Sequence, residues 1–352
     1  MARSLLAFEP ILKQRAWGGD RLAAFGKRVP EGQRIGESWE VADLPGAGNP
    51  DCSVVAEGPD AGRSLRSLIE EDPASILGRA EPGPDGGFPL LIKLLDAREN
   101  LSVQLHPSAE YAANHGDSFL KTEAWVVLEA EPGSRAYVGL DPSLDREGFD
   151  RAIESGGFMD VMIERSLEPG DCLFLESGLC HALGAGTVVA EVQTPSDTTF
   201  RVWDWNRNDP ERALHLEQAR ESIRLGEAQR TDWPVMTRRA DARGTESGGL
   251  RRRRLVECDR FLIEQLDSGE DPGPTSEFTF PGNGMPHVFL CSSGEGTGVD
   301  PEGNVRRFYP GRTILMPAAL QEVTFRMRVL DNARWSILHA MPPDPLSTVR
   351  AG

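Results

Sequence analysis

Cysteine is scarce in this chain of 352 residues. There are five, Cys52, Cys172, Cys180, Cys258 and Cys291, an odd number with no C-x-x-C pair. That excludes a disulfide framework and a thiolate zinc knot, and it fits reduced thiols in a cytoplasmic protein. Long apolar runs are missing: none nears the ~18 residues of a membrane span. The N-terminal apolar patch is broken by Glu9 and Pro10, so no signal peptide is expected. Positive charge is in deficit, 38 Lys and Arg against 55 Asp and Glu, for a net charge of −17. Such a field repels nucleic acid and anionic membranes, so neither is expected as a partner. A phosphorylated ligand would need a local basic pocket to overcome it. Histidines number only six, so each can be weighed separately.

Glycine and proline are plentiful, 37 and 26 residues, and they punctuate short apolar runs. Phe88 to Ala97, Leu101 to Pro107, Ala124 to Ala130, Ser134 to Leu140, Asp171 to Glu176, Leu179 to Gly184, Thr187 to Gln193 and Thr198 to Trp205 all read as strands. They recur every roughly 8–13 residues with turn signals between, which predicts a β-sandwich or barrel and not alternating βαβ units. Helices are few. Ser64 to Leu77 is the plainest; Asp145 to Ile153 and Asp160 to Ser166 are weaker. Asp209-Pro210-Glu211 has the cap, first-turn proline and acidic residue that open a helix. From Gln229 to Gly249 the chain turns polar, and a second set of strands follows: Arg260 to Leu266, His287 to Ser293, Thr313 to Ala318, Glu322 to Arg328 and Arg334 to Ala340. Gly170-Asp171-x4-Glu176-x4-His181 resembles Gly311-Arg312-x4-Pro317-x4-Glu322, each a strand, a tight turn and a returning strand. Two barrel-like units of one kind would explain this. The expected division is a metal-binding catalytic unit over residues 1–230, a linker over 231–250 and a degenerate unit over 251–352.

Four side chains could carry a metal. In a strand, residues i and i+2 share a face, so Gln104 and His106 project together, as do Lys121 and Glu123. His181 follows a glycine-containing turn. Two neutral imidazoles, a carboxylate and an amide oxygen suit Zn2+ or another borderline divalent ion with open positions. Ligands from separate strands can meet in one barrel lumen. A single histidine is more often structural than ligating, and His115, His215, His287 and His339 lack such neighbours. Lys121 and Glu123 could be an exposed ion pair. Lys93, within Pro-Leu-Leu-Ile-Lys-Leu-Leu, is expensive to bury charged unless it sits on an edge. Arg201, among Phe200, Val202 and Trp203, has the look of a guanidinium facing an anion. Trp203 and Trp205 read as core, and Asp197 could be a turn residue.

The motifs LSVQLHP, K-x-E in LKTEAWVVL, GDCLFLESGLCHALGAG and EVQTPSDTTFRVWDWNR followed by LHLEQA resemble the type I mannose-6-phosphate isomerases, in particular the short bacterial form, of the cupin superfamily. The similarity runs in order from about Trp17 to Ile223. It implies a mainly β protein with two cupin-like β-barrel (jelly-roll) domains and a few short helices. It also implies one zinc ion held by Gln104, His106, Glu123 and His181. Arg201 would be the catalytic arginine, with Lys93, Lys121 and Asp197 lining a pocket for a sugar phosphate. Glu176 stands where the family often has proline, and Leu120 where longer members have histidine. The reaction implied is aldose–ketose isomerisation through a cis-enediolate, with Lys121 or Lys93 as base if burial lowers its pKa. An epimerase or dioxygenase cupin, or a non-catalytic sugar-binding one, remains an alternative.

Overall fold

The structure, a computed structural model, describes residues 4–44, 51–116, 118–207, 209–210, 212–226, 236–238, 244–247, 249–269, 275–329 and 334–347. Its strands form four sheets, antiparallel throughout. A five-stranded sheet runs in the order Phe200–Trp203, Val103–Leu105, His181–Leu183, Arg135–Leu140, Met162–Ser166. It faces a seven-stranded sheet ordered Met236–Thr237, Cys172–Leu175, Glu123–Ala130, Thr187–Gln193, Leu91–Ala97, Ile35–Val41, Ile11–Gly19. Trp125, Val127 and Leu95 of the second sheet pack on Ala136, Val138 and Leu183 of the first. The other half repeats the plan. A second seven-stranded sheet contributes Phe289, Ile314 and Ile337, and a four-stranded sheet covers them with Phe280, Phe325 and Met327. The architecture is therefore mainly β with a few short helices, as the strand spacing predicts.

The two seven-stranded sheets also pack on each other. Strands buried on both faces read as nearly continuous apolar runs, and Thr187–Gln193 is buried at every position. Its Val188, Ala190 and Val192 join Ile92, Leu94 and Val126 against Ile263, Val288, Leu315 and Leu338 of the other half. Four sheets thus stack in sequence, with an apolar core in the middle belonging to both halves. The N-terminal strand Leu6–Ala7 pairs with Thr313–Met316, in the second half's sheet. The expected 1–230 unit therefore sends its first strand across. Of the expected linker, Met236–Thr237 adds to the first half's sheet and Gly244–Ser247 to the second's; most of the rest lies outside the described residues.

Ser64 and Asp145 cap the helices Leu65–Glu71 and Arg146–Ser155, each accepting from a backbone N–H three residues on. Two helix expectations fail. Asp160 to Ser166 is a short 3-10 turn followed by the strand Met162–Ser166, which pairs along Arg135–Leu140. The helix expected from Asp209 begins only at Leu216. The His215 N–H donates to the Arg201 carbonyl and its Nδ1 accepts from the Arg201 N–H, which holds residues 213–215 along the edge strand. The internal similarity is real in shape: Gly170 and Gly311 both have positive φ and open the buried four-residue strands Cys172–Leu175 and Thr313–Met316.

Candidate metal centre and substrate cavity

Register brings the candidate ligands together. His181 pairs with Gln104, and Gln104 with Arg201, so the three form one row across the five-stranded sheet. His106 follows the Gln104 strand directly. Glu123 opens its strand in the facing sheet and reaches across. His106 Nε2 lies 3.2 Å from Glu123 Oε2 and His181 Nε2 lies 3.4 Å from Oε1, with all three side chains fully buried. Each imidazole is fixed by its other nitrogen: His106 Nδ1 is 3.2 Å from the Thr198 carbonyl and His181 Nδ1 is 2.9 Å from the Leu179 carbonyl. If each Nδ1–H donates there, each Nε2 lone pair faces the centre, the usual second contact of a ligating histidine. The turn ahead of His181 depends on Gly178, at φ +79, where a Cβ would lie 2.8 Å from the Ser222 carbonyl.

The donor set fits a divalent ion. His106 Nε2 and Glu123 Oε1 are buried with no hydrogen-bonding partner, and Glu123 Oε2 has the Lys121 ammonium beside it; two buried polar atoms left so are costly unless something else satisfies them. Spacings of 3.2 and 3.4 Å match the edge of a tetrahedron with bonds of about 2.0–2.1 Å. Burial, then the Lys121 ammonium, pushes the His106 pKa down to about 3, so the ring is neutral, as a ligand must be. Burial alone would raise Glu123, but Lys121 and the two imidazoles hold it well below the usual carboxylate range. Gln104 adjoins the cluster with its amide nitrogen 3.4 Å from His181 Nε2, while Ser102 Oγ donates to its oxygen. A half-turn of the amide would exchange the two atoms, which are nearly isosteric.

Above this cluster opens a cavity of roughly 340 Å³, whose lining includes Trp17, Ser102, Gln104, Thr199 and eight charged side chains. Gln104 and Lys121 belong to both: Lys121 Nζ is 2.9 Å from Glu123 Oε2. Lys93 is 3.1 Å from Glu191 Oε1 and 3.9 Å from Asp197, and its ammonium lies over the Trp39 ring. Trp125 donates to Glu191 Oε2 at 2.8 Å. Arg15 and Trp39 both donate to Glu37. Burial would raise Glu37, but Lys93 and Arg15 bring it down to about 2.

One expectation, that burial lowers the Lys93 pKa, meets an opposing field. Burial does pull the Lys93 pKa down, but Glu191, Glu37, Asp197 and Glu123 outweigh it, and Lys93 stands above the ordinary lysine range. These carboxylates favour its ammonium form. Burial and the Glu123 charge push the Glu191 carboxyl up, against Lys93 and Lys121. Sequence reading missed Arg15, Glu37, Glu191 and Arg212. Glu191 could have been flagged by the logic applied to Lys93, a lone charge inside the apolar run Thr187 to Gln193. Trp203 and Trp205 pack on each other at 4.6 Å between centroids and are half-buried against the core of the first half. None of the five cysteines is in a disulfide, and burial raises each thiol's pKa, Cys52 and Cys258 to about 11.

Known proteins resemble this one in both sequence and structure. The family model described as type I phosphomannose isomerase, catalytic domain, matches residues 5–124. GmuF of Bacillus subtilis, described as a probable mannose-6-phosphate isomerase, is 41% identical over 226 residues, 62% of this chain and 68% of that one. The mannose-6-phosphate isomerase ManA of Bacillus subtilis is 34% identical over 267 residues, 75% and 79% of the two chains. The crystal structure of the mannose 6-phosphate isomerase from Bacillus subtilis superposes with a TM-score of 0.81 at 25% identity, covering 96% of this chain and 99% of that one. The Salmonella typhimurium mannose 6-phosphate isomerase in its apo form shares the fold, at a TM-score of 0.69, 17% identity and coverage of 97% and 99%.

Proposed function

This chain belongs to the type I mannose-6-phosphate isomerase family, and from that premise we propose how its residues perform the reaction. The protein is an aldose–ketose isomerase interconverting mannose 6-phosphate and fructose 6-phosphate. The observation that carries the mechanism is the buried His106–Glu123–His181 cluster, with unsatisfied donor atoms, beneath a charged cavity. We assign it to one Zn2+ per chain, with Gln104 as fourth ligand, because imidazole, carboxylate and amide oxygen donors suit that ion. When bound, the ion supplies Lewis-acid stabilisation of charge on the sugar oxygens at C1 and C2.

The barrier is the poor acidity of the carbon beside the carbonyl. A base must take a proton from one carbon and return it to the next on the same face. Glu191 is the carboxylate best placed for this: it lines the cavity and is aimed by Lys93 and Trp125. Lys93 then acts as the cation that holds Glu191. Arg201 meets the charge of the cis-enediolate as it forms; its Nε is buried without a partner, ready for an oxyanion. Lys121, beside Glu123, is positioned to donate to a sugar hydroxyl, and Asp197 to orient Lys93 at the rim. Five cysteines outside any disulfide and a net charge of −17 support a cytoplasmic protein acting on a small molecule. No helix among the described residues is long and apolar enough to cross a membrane.

The test is conversion of fructose 6-phosphate in D2O. The account expects mannose 6-phosphate carrying deuterium at C2, and loss of both turnover and label with Glu191→Gln. Absence of conversion by the metal-loaded protein would contradict the isomerase assignment, and full activity of Glu191→Gln would contradict the choice of base.

A further inference from the structure

Residues 118–122 have no regular structure, yet Lys121 and Thr122 among them are buried. Regular pairing begins only at Glu123, opposite Gln193. Ahead of that point each buried carbonyl must find a partner outside the ladder. Four consecutive carbonyls do so. That of Thr122 accepts from the Thr194 N–H at 3.0 Å. That of Lys121 accepts from Ser177 Oγ at 2.9 Å, that of Leu120 from Thr194 Oγ1 at 3.0 Å, and that of Phe119 from Ser196 Oγ at 3.1 Å. Thr194 Oγ1 also accepts from the Thr122 N–H at 3.2 Å. Three hydroxyls from two separate loops therefore clasp the backbone around Lys121.

Both loops also reach the metal cluster. The turn carrying Ser177 donates its Gly178 N–H to the His106 carbonyl at 3.2 Å and sets its Leu179 carbonyl against His181 Nδ1. The loop carrying Thr194 and Ser196 continues to Thr198, whose carbonyl meets His106 Nδ1. It is braced by Gln193 Nε2, which donates to the Thr194 carbonyl at 2.8 Å. The same backbone thus fixes both imidazoles and Lys121, whose ammonium stands 2.9 Å from Glu123 at the cavity wall. Ser177 and Thr194 do not line that cavity; each lines a different one, together with Leu120. The geometry points to Ser177 and Thr194 as positioning residues for the isomerisation: they place the Lys121 ammonium by fixing the backbone on either side of it, without touching substrate. This task for Lys121 rests on the isomerase reading, whereas the clasp itself can be observed without turnover.

The test is a set of kinetic and exchange measurements on metal-loaded protein. Ser177→Ala should lower kcat about tenfold, the upper end for one lost hydrogen bond. KM for mannose 6-phosphate should stay within twofold and the metal at about one per chain. Ser177→Thr, which keeps a hydroxyl, should return kcat to within about threefold of the parent. Thr194→Val, close in shape but without the hydroxyl, should repeat the Ser177→Ala pattern, and it carries the test if Ser177→Ala does not fold. A residue that only stabilised the fold would lower kcat by the same factor whatever stood at position 121. Acting through Lys121, Ser177→Ala should change kcat less than twofold in a Lys121→Gln background. Amide hydrogen exchange over residues 119–123 should be about tenfold faster in Ser177→Ala, with residues 187–192 at the parent rate. Any of four results would overturn the assignment: kcat within twofold of the parent in the folded variants, an equal loss of kcat in both backgrounds, a rise in KM at constant kcat, or unchanged exchange over 119–123. Should the exchange follow the expectation while the parent fails to isomerise the sugar, the clasp stands and the isomerase reading falls.

Discussion

Lys93 and Glu191 are buried almost completely, at 3% exposure each, and oppose one another on paired strands. Removing one member of a buried pair leaves the other's charge uncompensated, which costs about 3–5 kcal/mol. Lys93→Met should therefore destabilise the protein by that order in urea unfolding, and pairing it with Glu191→Gln should recover much of the loss. A Lys93→Met stability within about 1 kcal/mol of the parent would show that the pair is not what holds this wall of the cavity. This scale also shows where sequence reading reached and where it stopped. Gln104, His106 and Lys121-x-Glu123 were legible because alternation along one strand puts i and i+2 on one face. Glu37 was not, and Glu191 stood out only as a lone charge in an apolar run. A lone carboxylate gains meaning only from the charge opposite it on another strand, and that register is not local information. Arg212 was hidden for the same reason, because Asp204, Arg207 and Arg201 become its neighbours only when the chain folds back along the edge strand.

At the scale of elements, the second half keeps the strand layout but has replaced the ligand set with a closed hydrogen-bonded chain. His287 on strand His287–Ser293 bonds His339 on strand Ser336–Met341 at 2.9 Å. Asn283 takes the other His287 nitrogen, Glu264 takes the other His339 nitrogen, and Arg252 donates to Glu264. No ring nitrogen is left for an ion, unlike His106 in the first half. Burial, then the charge of His339, pushes the His287 pKa down to about 3, against about 6.5 in an unfolded chain. Between those values only the unfolded chain takes up the proton. The contribution to stability is therefore whole above pH 6.5 and is lost as pH falls toward 3, up to about 5 kcal/mol. Urea unfolding at pH 7, 5 and 4 should show this decline, and His287→Phe should make it shallower; an equal slope in the variant would sink the assignment. Strands were read well from the sequence because turn residues bound them. The Asp209 helix signal misled because hydrogen bonds from His215 to Arg201 hold that segment extended until Leu216, a tertiary effect overriding a sound local cap.

For the molecule as a whole, the central apolar layer belongs to both halves. Lys27 reinforces it, buried between Glu40 at 2.7 Å and the Gly311 carbonyl at 2.9 Å, as does the Arg312–Glu57 pair. The duplication was visible in the glycine-led turns, but the sharing was not, since a strand buried on one face or on two reads as similarly apolar over so few residues. A shared core predicts one cooperative unfolding transition in calorimetry, and two separate transitions would contradict it. The claim on which the chemistry depends is that the buried trio at the cavity floor holds a metal. Elemental analysis of purified protein is the most direct measure. It should give about one divalent ion per chain in the parent and in Arg201→Ala, and a small fraction of that in His181→Ala and Glu123→Gln folded to the same extent. Full metal content in both ligand variants, or none in the metal-supplemented parent, would refute the site.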